Sequence, residues 1–466
     1  MRTPDWNEIV GLQQVLTRAA DAETFDAWLR RAKATGWCRN PVRLVGAVER
    51  INGQTGEVIG HFGSSGLPDH TLLKACGQRR ATRCPTCSAT YQADAYQLVA
   101  AGLRGAKGIP DSVSGHPVIF VTLTAPSFGT VHTRRPAEAN PRTCQHADDT
   151  CQHGLTRSCL AIHEPNDELV GQPICPDCFE YPAAVLWNAH AGELWRRTTI
   201  GIARALASLA GIPRGELRRT VRISFAKVVE YQRRGSVHVH TVVRLDAAGE
   251  TTEAPPPQFD ADLLAVAVAR AIRSASVPVP STDGVAGAFR WGPQLDLRPI
   301  GNDGVVPKAV AGYLAKYATK STDPAGLLDT RVRAGDLDSL DEALSSHLAR
   351  MVRTAWDLGG RPELEHLRLR NWAHALGFRG HWLTKSRVWS TTFAELRSTR
   401  RDWQRANAGD PVTEEELSIG EWQYAGRGWT TAGDSWLAET AARRTAETRS
   451  MARVERRTAP AAPTGR

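Results

Sequence analysis

Two histidines separated by one residue, His238 and His240, lie within the β-branched stretch at residues 237–243. Side chains alternate between the two faces of a β-strand, so both imidazoles would project from the same face. Two imidazoles on one face could chelate a single divalent cation, while the valines between them would point into an apolar layer. The same spacing also occurs in ordinary surface strands, so the pair gains meaning only from its surroundings.

A carboxylate that could complete such a site lies on each of two other predicted strands. Val221–Tyr231 and Val237–Leu245 are predicted strands joined by a short turn, and Glu230 lies in the first of them. Asp296, on a later predicted strand, is the alternative. Carboxylate oxygens combined with imidazoles suit Mg²⁺ or Mn²⁺. The residue pattern leaves both acids open as the third ligand.

Two tyrosines are placed where they would share one face of a helix. Proline suits a first helical turn, so a helix is predicted from Pro307 onward. Tyr313 and Tyr317 are four residues apart on it, with Lys316 and Lys320 beside them. Ammonium groups there would favour the phenolate and hold a phosphate next to it. The alternative is an aromatic stripe packed in a core, with the lysines reaching to its rim.

The nine cysteines are clustered rather than scattered. Two Cys-x-x-Cys pairs, Cys84 with Cys87 and Cys175 with Cys178, predict one tetrahedral zinc site between them. Such a site would be structural, because four protein ligands leave no position open. Cys38 is expected to be an ordinary core residue. Further ligands that could form a second zinc site, with the pairing left open, are Cys76, Cys144, Cys151 and Cys159, with His146, His153 and His163 nearby.

The overall composition indicates a folded protein of more than one domain that binds a polyanion. The chain has 466 residues, of which 41% are hydrophobic, and a formal net charge of +9. It contains no apolar run long enough for a membrane span and no apolar signal sequence at its start, so we expect a cytoplasmic protein with no membrane partner. Cysteines stay reduced in that compartment, which favours metal binding over disulfides.

Three segments together resemble a known family. Phe120–Thr124, His238–His240 and Tyr313–Lys320 occur in the order of the three motifs of HUH endonucleases. The chain resembles the rolling-circle replication initiators of that group, above all those of actinomycete plasmids and integrative conjugative elements. Leu376–His381 and the cysteine segments resemble the same proteins. The tyrosine motif looks like the two-tyrosine form found in initiators of small single-stranded DNA phages.

The resemblance implies an α+β fold, a central antiparallel sheet with flanking helices of the ferredoxin-like or RRM-like kind, and a zinc-binding insertion. It implies that the histidine pair binds catalytic Mg²⁺ or Mn²⁺. Tyr317 is carried over as the first nucleophile and Tyr313 as its partner, with the order of their use left open. The expected product is a 5′-phosphotyrosine link. The expected partners are single-stranded or cruciform origin DNA, a host helicase and a DNA polymerase. An HUH transposase or relaxase, or a non-catalytic zinc-containing DNA-binding regulator, are the alternatives.

The same resemblance and the composition predict five segments. They are an N-terminal region at 1–75, a cysteine-containing segment at 76–115, the endonuclease core at 116–325 with a Cys/His-rich insertion at 130–182, a helical basic DNA-binding region at 326–436, and a disordered tail at 437–466.

Basic residues in two places are the predicted DNA contacts. Arg233 and Arg234 lie in the turn before the histidine strand. Further along, bases and aromatics alternate through residues 379–389, where Arg379, Lys385 and Arg387 could follow phosphates while tryptophans stack on bases. The alternative for this second stretch is a solvated helix face above core tryptophans.

Overall fold

The computed structural model describes residues 6–134, 143–145, 149–249, 252–279, 287–301, 307–320, 328, 330–407, 409 and 416–458. Within these ranges, no helix combines the length and apolar character that a bilayer crossing requires. The mixed α+β class with antiparallel sheets and helices is confirmed.

The helices in the described residues are α1 (Trp6–Ala20), α2 (Ala22–Ala34), α3 (Pro85–Arg104), α4 (Tyr181–Leu209), α5 (Arg214–Thr220), α6 (Ala261–Ser274), α7 (Pro307–Lys320), α8 (Leu340–Ala343), α9 (Ser346–Leu358), α10 (Leu369–Trp372), α11 (Phe393–Asn407) and α12 (Ala432–Thr458). The strands are β1 (Val42–Asn52), β2 (Val58–Gly63), β3 (Leu72–Lys74), β4 (Val118–Leu123), β5 (Val221–Tyr231), β6 (Val237–Ala247), β7 (Val277–Pro278), β8 (Ala288–Phe289), β9 (Leu295–Pro299), β10 (Leu383–Lys385) and β11 (Glu416–Arg427).

The chain folds into two compact units, and the larger one spans residues 95–392. Its five-stranded sheet has the order β10-β5-β6-β4-β9, and every neighbouring pair is antiparallel. Helices cover both faces. Trp195 of α4 lies 5.2 Å from Phe225 between ring centroids on one face, and Tyr317 of α7 lies 4.8 Å from His240 on the other. A sheet covered on both sides must be built from strands that are apolar almost throughout.

Strand β6 is buried at ten of its eleven positions, but it departs from that rule because one of its faces carries polar side chains. Its titratable and charged side chains are His238, His240, Arg244 and Asp246, all at even positions and therefore on the face under α7. Arg244 Nε donates to Asp246 Oδ1 at 2.6 Å, and His116 Nδ1 lies 2.9 Å from the same oxygen. The buried charges are thus paired, as burial requires.

The smaller unit combines residues 1–94 with 393–466. Its sheet is centred on β1, which pairs antiparallel with β11, β2 and β3. The unit therefore joins the two ends of the chain, which the five predicted segments do not. Strand β11 lies within the region expected to be helical, and α12 continues to Thr458 within the segment expected to be disordered. Residues 459–466 lie outside the described residues.

Candidate active site

Three side chains from two adjacent strands form the central group of the site. Glu230 of β5 is paired with His238 of β6 across the ladder, and His240 follows on the same face. One ligand atom from each of the three lies within 4.8 Å of the others. His240 Nε2 is 3.1 Å from Glu230 Oε1. The hairpin thus brings together two imidazoles and a carboxylate, a donor set suited to a divalent cation.

Burial keeps both imidazoles neutral. It lowers the pKa of His238 to about 3, with further lowering from the charges of His240 and Arg234, and it lowers the pKa of His240 to about 4. His238 Nδ1 is buried without a hydrogen-bond partner. Thr122 Oγ1, on β4, lies 3.3 Å from His240 Nδ1 and can orient that ring. An unpartnered imidazole nitrogen beside a carboxylate fits a bound metal ion.

The other candidate for the third ligand is placed differently. Asp296 lies on β9 opposite Thr122, two strands from the histidines, with β4 between them. Its carboxylate is 3.0 Å from the guanidinium of Arg298. It is not part of the ligand group found among the described residues. The structure therefore brings Glu230 to the histidine pair and leaves Asp296 in an ion pair at its side.

Both tyrosines of α7 lie over this group. The ring centroid of Tyr317 is 4.8 Å from that of His240, and the centroid of Tyr313 is 5.1 Å from it. The two phenol rings are 4.5 Å apart, and Tyr313 also meets the edge of Phe120 at 5.6 Å. Tyr313 remains 39% exposed. The arrangement is an aromatic layer over the metal-ligand group, open at Tyr313.

Only one of the two lysines has a described side chain. Lys316 is exposed, with Nζ 5.9 Å from the Tyr317 ring centroid, and the side chain of Lys320 lies outside the described residues. Burial, followed by a hydrogen bond with Tyr317, raises the pKa of Tyr313 above its usual value. Burial therefore favours the neutral phenol of Tyr313 over its phenolate.

Among the described residues, the cysteines and several histidines form three separate groups that could bind zinc. We name them by the number of histidines they contain. The all-cysteine group is Cys38, Cys76, Cys84 and Cys87; the two-histidine group is His132, Cys144, Cys159 and His163; and the one-histidine group is Cys151, His153, Cys175 and Cys178.

Two expectations about these residues are wrong. The Cys-x-x-Cys pairs do not share a site, because Cys84 and Cys87 lie in the all-cysteine group and Cys175 and Cys178 in the one-histidine group. Cys38 is buried, as a core residue would be, but its Sγ is 3.8 Å from that of Cys84 and 3.6 Å from that of Cys87.

Proximity in the sequence identifies only some of the histidine ligands. His153 and His163 lie near cysteines in the sequence, and both belong to groups. His132 was missed, since it is 12 residues from Cys144 and outside any short motif. His146 lies outside the described residues.

The predicted DNA contacts are largely engaged within the protein. Arg233 donates to the carbonyls of Asp167 and Pro165 at 2.8 and 2.9 Å. Arg234 donates to the carbonyls of Pro126 and Ala125 at 2.8 and 2.9 Å. These arginines fix the β5–β6 turn to its neighbours. Bonds to backbone carbonyls hold a guanidinium in place, so its position is defined before any DNA arrives.

The second basic stretch is divided between packing and surface. Trp389 is fully buried, with the Arg244 guanidinium 4.9 Å from its ring centroid, so it cannot stack on a base. Lys385 Nζ donates to the carbonyl of Ser390 at 2.6 Å. Arg379 and Arg387 are exposed, and Arg379 donates to the carbonyl of His366 at 2.8 Å. Arg379 and Arg387 are therefore the charged side chains that this stretch presents at the surface.

Comparison with known proteins gives two matches along almost the whole chain. Residues 24–443 match the family model described as replication initiator protein, pSAM2. A replication initiator protein of Streptomyces ambofaciens is 40% identical over 457 residues, which cover 94% of this chain and 94% of that protein. No solved structure matches.

Proposed function

This chain belongs to the family of replication initiator proteins described for pSAM2, and we propose that it starts rolling-circle plasmid replication by nicking single-stranded origin DNA with a tyrosine. One observation carries the proposal. The ring centroids of both tyrosines of α7 lie within 5.1 Å of the ring centroid of His240. The imidazole of His240 is also hydrogen-bonded to Glu230. A nucleophile and a metal-ligand group next to each other are what phosphodiester transfer to tyrosine needs.

The proposed ligands of the catalytic cation are Glu230, His238 and His240. When bound, Mg²⁺ or Mn²⁺ would supply Lewis-acid polarisation of the scissile phosphate. Burial keeps the imidazoles neutral and therefore able to coordinate, and Thr122 orients His240 through its second nitrogen.

The chemistry assigned to the tyrosines is a balanced exchange. The phenol oxygen of Tyr317 forms a bond to phosphorus while the bond from phosphorus to the 3′ oxygen breaks. The phenol gives up its proton, and the leaving 3′ oxygen ends as a hydroxyl that can prime synthesis. Tyr313 lies 4.5 Å from Tyr317 between ring centroids and can repeat the attack on the regenerated origin. Strands are then exchanged without hydrolysis. The proposed partners in this replication cycle are origin DNA, a helicase and a polymerase.

The all-cysteine, two-histidine and one-histidine groups are proposed to bind structural zinc. Each has four protein ligands, which fills a tetrahedral coordination sphere and leaves no open position for a substrate. Catalysis and structure would thus use different metal ions.

The decisive experiment is adduct mapping. Purified full-length protein is incubated with a labelled single-stranded origin oligonucleotide and Mn²⁺, and the covalent product is digested and analysed by mass spectrometry. We expect a 5′-phosphotyrosine on Tyr317 or Tyr313. An adduct on another residue, or cleavage with no adduct, contradicts the proposal.

The main alternative is a zinc-containing DNA-binding regulator without catalysis. It predicts that His238→Ala retains full function and that duplex binding persists without Mn²⁺. The neutral, buried histidine pair beside a carboxylate favours the nuclease, because a regulator has no need of that costly arrangement.

A further inference from the structure

The two-histidine and one-histidine groups are interleaved along the chain. Their ligands occur as four pairs, in which the first and third pairs belong to the two-histidine group and the second and fourth to the one-histidine group. In order, the pairs are His132 with Cys144, Cys151 with His153, Cys159 with His163, and Cys175 with Cys178.

A small hairpin explains how one segment supplies both groups. At its base, Gln145 and Cys159 exchange backbone hydrogen bonds of 3.0 and 2.8 Å, next to the ligand Cys144. Nearer its tip, the Cys151 amide donates to the carbonyl of Leu155 at 2.8 Å. The base therefore delivers ligands to the two-histidine group and the tip to the one-histidine group.

Contacts within each group suit a metal ion. His132 Nδ1 and His163 Nε2 are 3.2 Å apart, and Cys159 Sγ is 3.5 Å from the same His163 nitrogen. In the one-histidine group, His153 Nδ1 is 3.3 Å from Cys178 Sγ and 3.6 Å from Cys175 Sγ. Nitrogen and sulfur donors converge in both places, as ligands of one zinc ion do.

The two-histidine group is also connected to the catalytic hairpin. His163 Nδ1 lies 2.5 Å from Asp167 Oδ2, the carboxylate–histidine pairing that orients a zinc ligand. The carbonyl of Asp167 accepts a hydrogen bond from Arg233, in the turn between β5 and β6. The backbones are close as well, because a Cβ on Gly171 would come within 2.4 Å of Arg233 Cβ.

We propose that these eight ligands form a cross-braced pair of zinc centres, and that the two-histidine centre holds the β5–β6 turn in place through His163, Asp167 and Arg233. The turn connects the strand of Glu230 to the strand of His238 and His240. The zinc pairing and the link to the turn are independent of nicking; their importance for catalysis rests on the proposed function.

Zinc content of the full-length protein tests the pairing. We expect three zinc ions per chain, and two after Cys84→Ala, the matched control in the all-cysteine group. The double variant Cys144→Ala/Cys159→Ala should lose one ion, because both residues serve one centre, whereas Cys159→Ala/Cys175→Ala should lose two.

The opposite pattern would overturn the cross-brace. If Cys144→Ala/Cys159→Ala loses two ions while Cys159→Ala/Cys175→Ala loses one, the centres are sequential. A wild-type protein that holds no zinc at these groups overturns the proposal altogether.

Hydrogen–deuterium exchange of the turn tests the link to the hairpin without relying on nicking. The Gly235 amide donates to the carbonyl of Gln232 at 2.9 Å, so its exchange reports opening of the turn. We expect exchange at least about tenfold faster in Cys159→Ala and in Arg233→Ala. Cys84→Ala and Arg196→Ala, which removes an exposed ion pair with Glu193, should match wild type. Unchanged exchange in Cys159→Ala would refute the link.

Discussion

Strands β6 and β11 are of similar length but differ in burial and in the chemistry they carry. Ten of the eleven residues of β6 are buried, whereas none of the twelve residues of β11 is. β6 lies in the unit of residues 95–392 and carries two of the proposed metal ligands, while β11 lies in the unit formed by the chain ends. Burial is what keeps imidazoles neutral and strengthens electrostatic interactions with a phosphate. An exposed strand can pair and pack, but water would weaken any such chemistry.

The largest expected effect is the loss of nicking when the tyrosines of α7 are substituted, compared with the substitution of a tyrosine of β11. Tyr313→Phe combined with Tyr317→Phe should abolish covalent adduct formation, because no phenol oxygen remains beside His240. Tyr424→Phe, on β11 and 65% exposed, is the matched control and should leave nicking unchanged. A gel assay with labelled origin oligonucleotide measures both. Normal nicking by the double variant would show that another residue is the nucleophile.

The next effect concerns the histidines. His238→Ala or His240→Ala should lower the nicking rate at saturating Mn²⁺ by about 100-fold or more, since a ligand that positions the charge-stabilising ion is lost. His61→Ala, at an exposed position of β2 in the other unit, is the control and should have the wild-type rate. Initial rates over a Mn²⁺ titration provide the comparison. Wild-type rates for His238→Ala would favour the non-catalytic regulator.

The same contrast explains what sequence reasoning could reach. β6 and its partner β5 were predicted within two residues of their ends, because both are rich in β-branched residues and flank a short turn. The even spacing of His238 and His240 placed them on one face, and the spacing of Tyr313 and Tyr317 did the same for the helix. β11 was missed because its apolar residues alternate in two short runs that are out of phase, Leu417 with Ile419 and Trp422 with Tyr424. Its partner β1 also lies at the far end of the sequence.

The metal groups show a second limit. Short-range pairs such as Cys84 with Cys87 can be seen in a sequence, but the partners of a pair are set by tertiary structure. Cys38 is 38 residues from Cys76, and no spacing rule connects them. The third ligand of the proposed catalytic group was open for the same reason, because strand order places Glu230, and not Asp296, next to the histidine strand.

Stability should respond more strongly to the buried charges of β6 than to surface pairs. Asp246→Ala leaves Arg244 buried without its partner and should cost about 3–5 kcal/mol. Asp341→Ala, which removes an exposed pair with Arg353, should cost no more than about 1 kcal/mol. Denaturant unfolding followed by circular dichroism measures both. Equal costs would mean that the buried network contributes no more than a surface pair.

The pH dependence of this network follows from its pKa. Burial alone would raise the pKa of Asp246, but hydrogen bonds from His116 and Arg244 outweigh it and lower the value to about 2. A depressed carboxyl pKa stabilises the fold above its unfolded value, near 3.8. That stabilisation should disappear as the pH falls from about 4 to about 2. Asp246→Asn should flatten the fall in stability across this range.

The smallest expected effect is that of an exposed leucine, measured against a buried one. Leu417 of β11 is 56% exposed, and Leu417→Ala should change stability by no more than about 0.5 kcal/mol. Leu245 of β6 is fully buried, so Leu245→Ala creates a cavity and should cost about 2–5 kcal/mol. Both residues are leucines in antiparallel strands, so strand propensity cancels and burial alone differs. A large cost at Leu417 would mean that β11 is covered in solution by a partner, and would remove the contrast between the two strands.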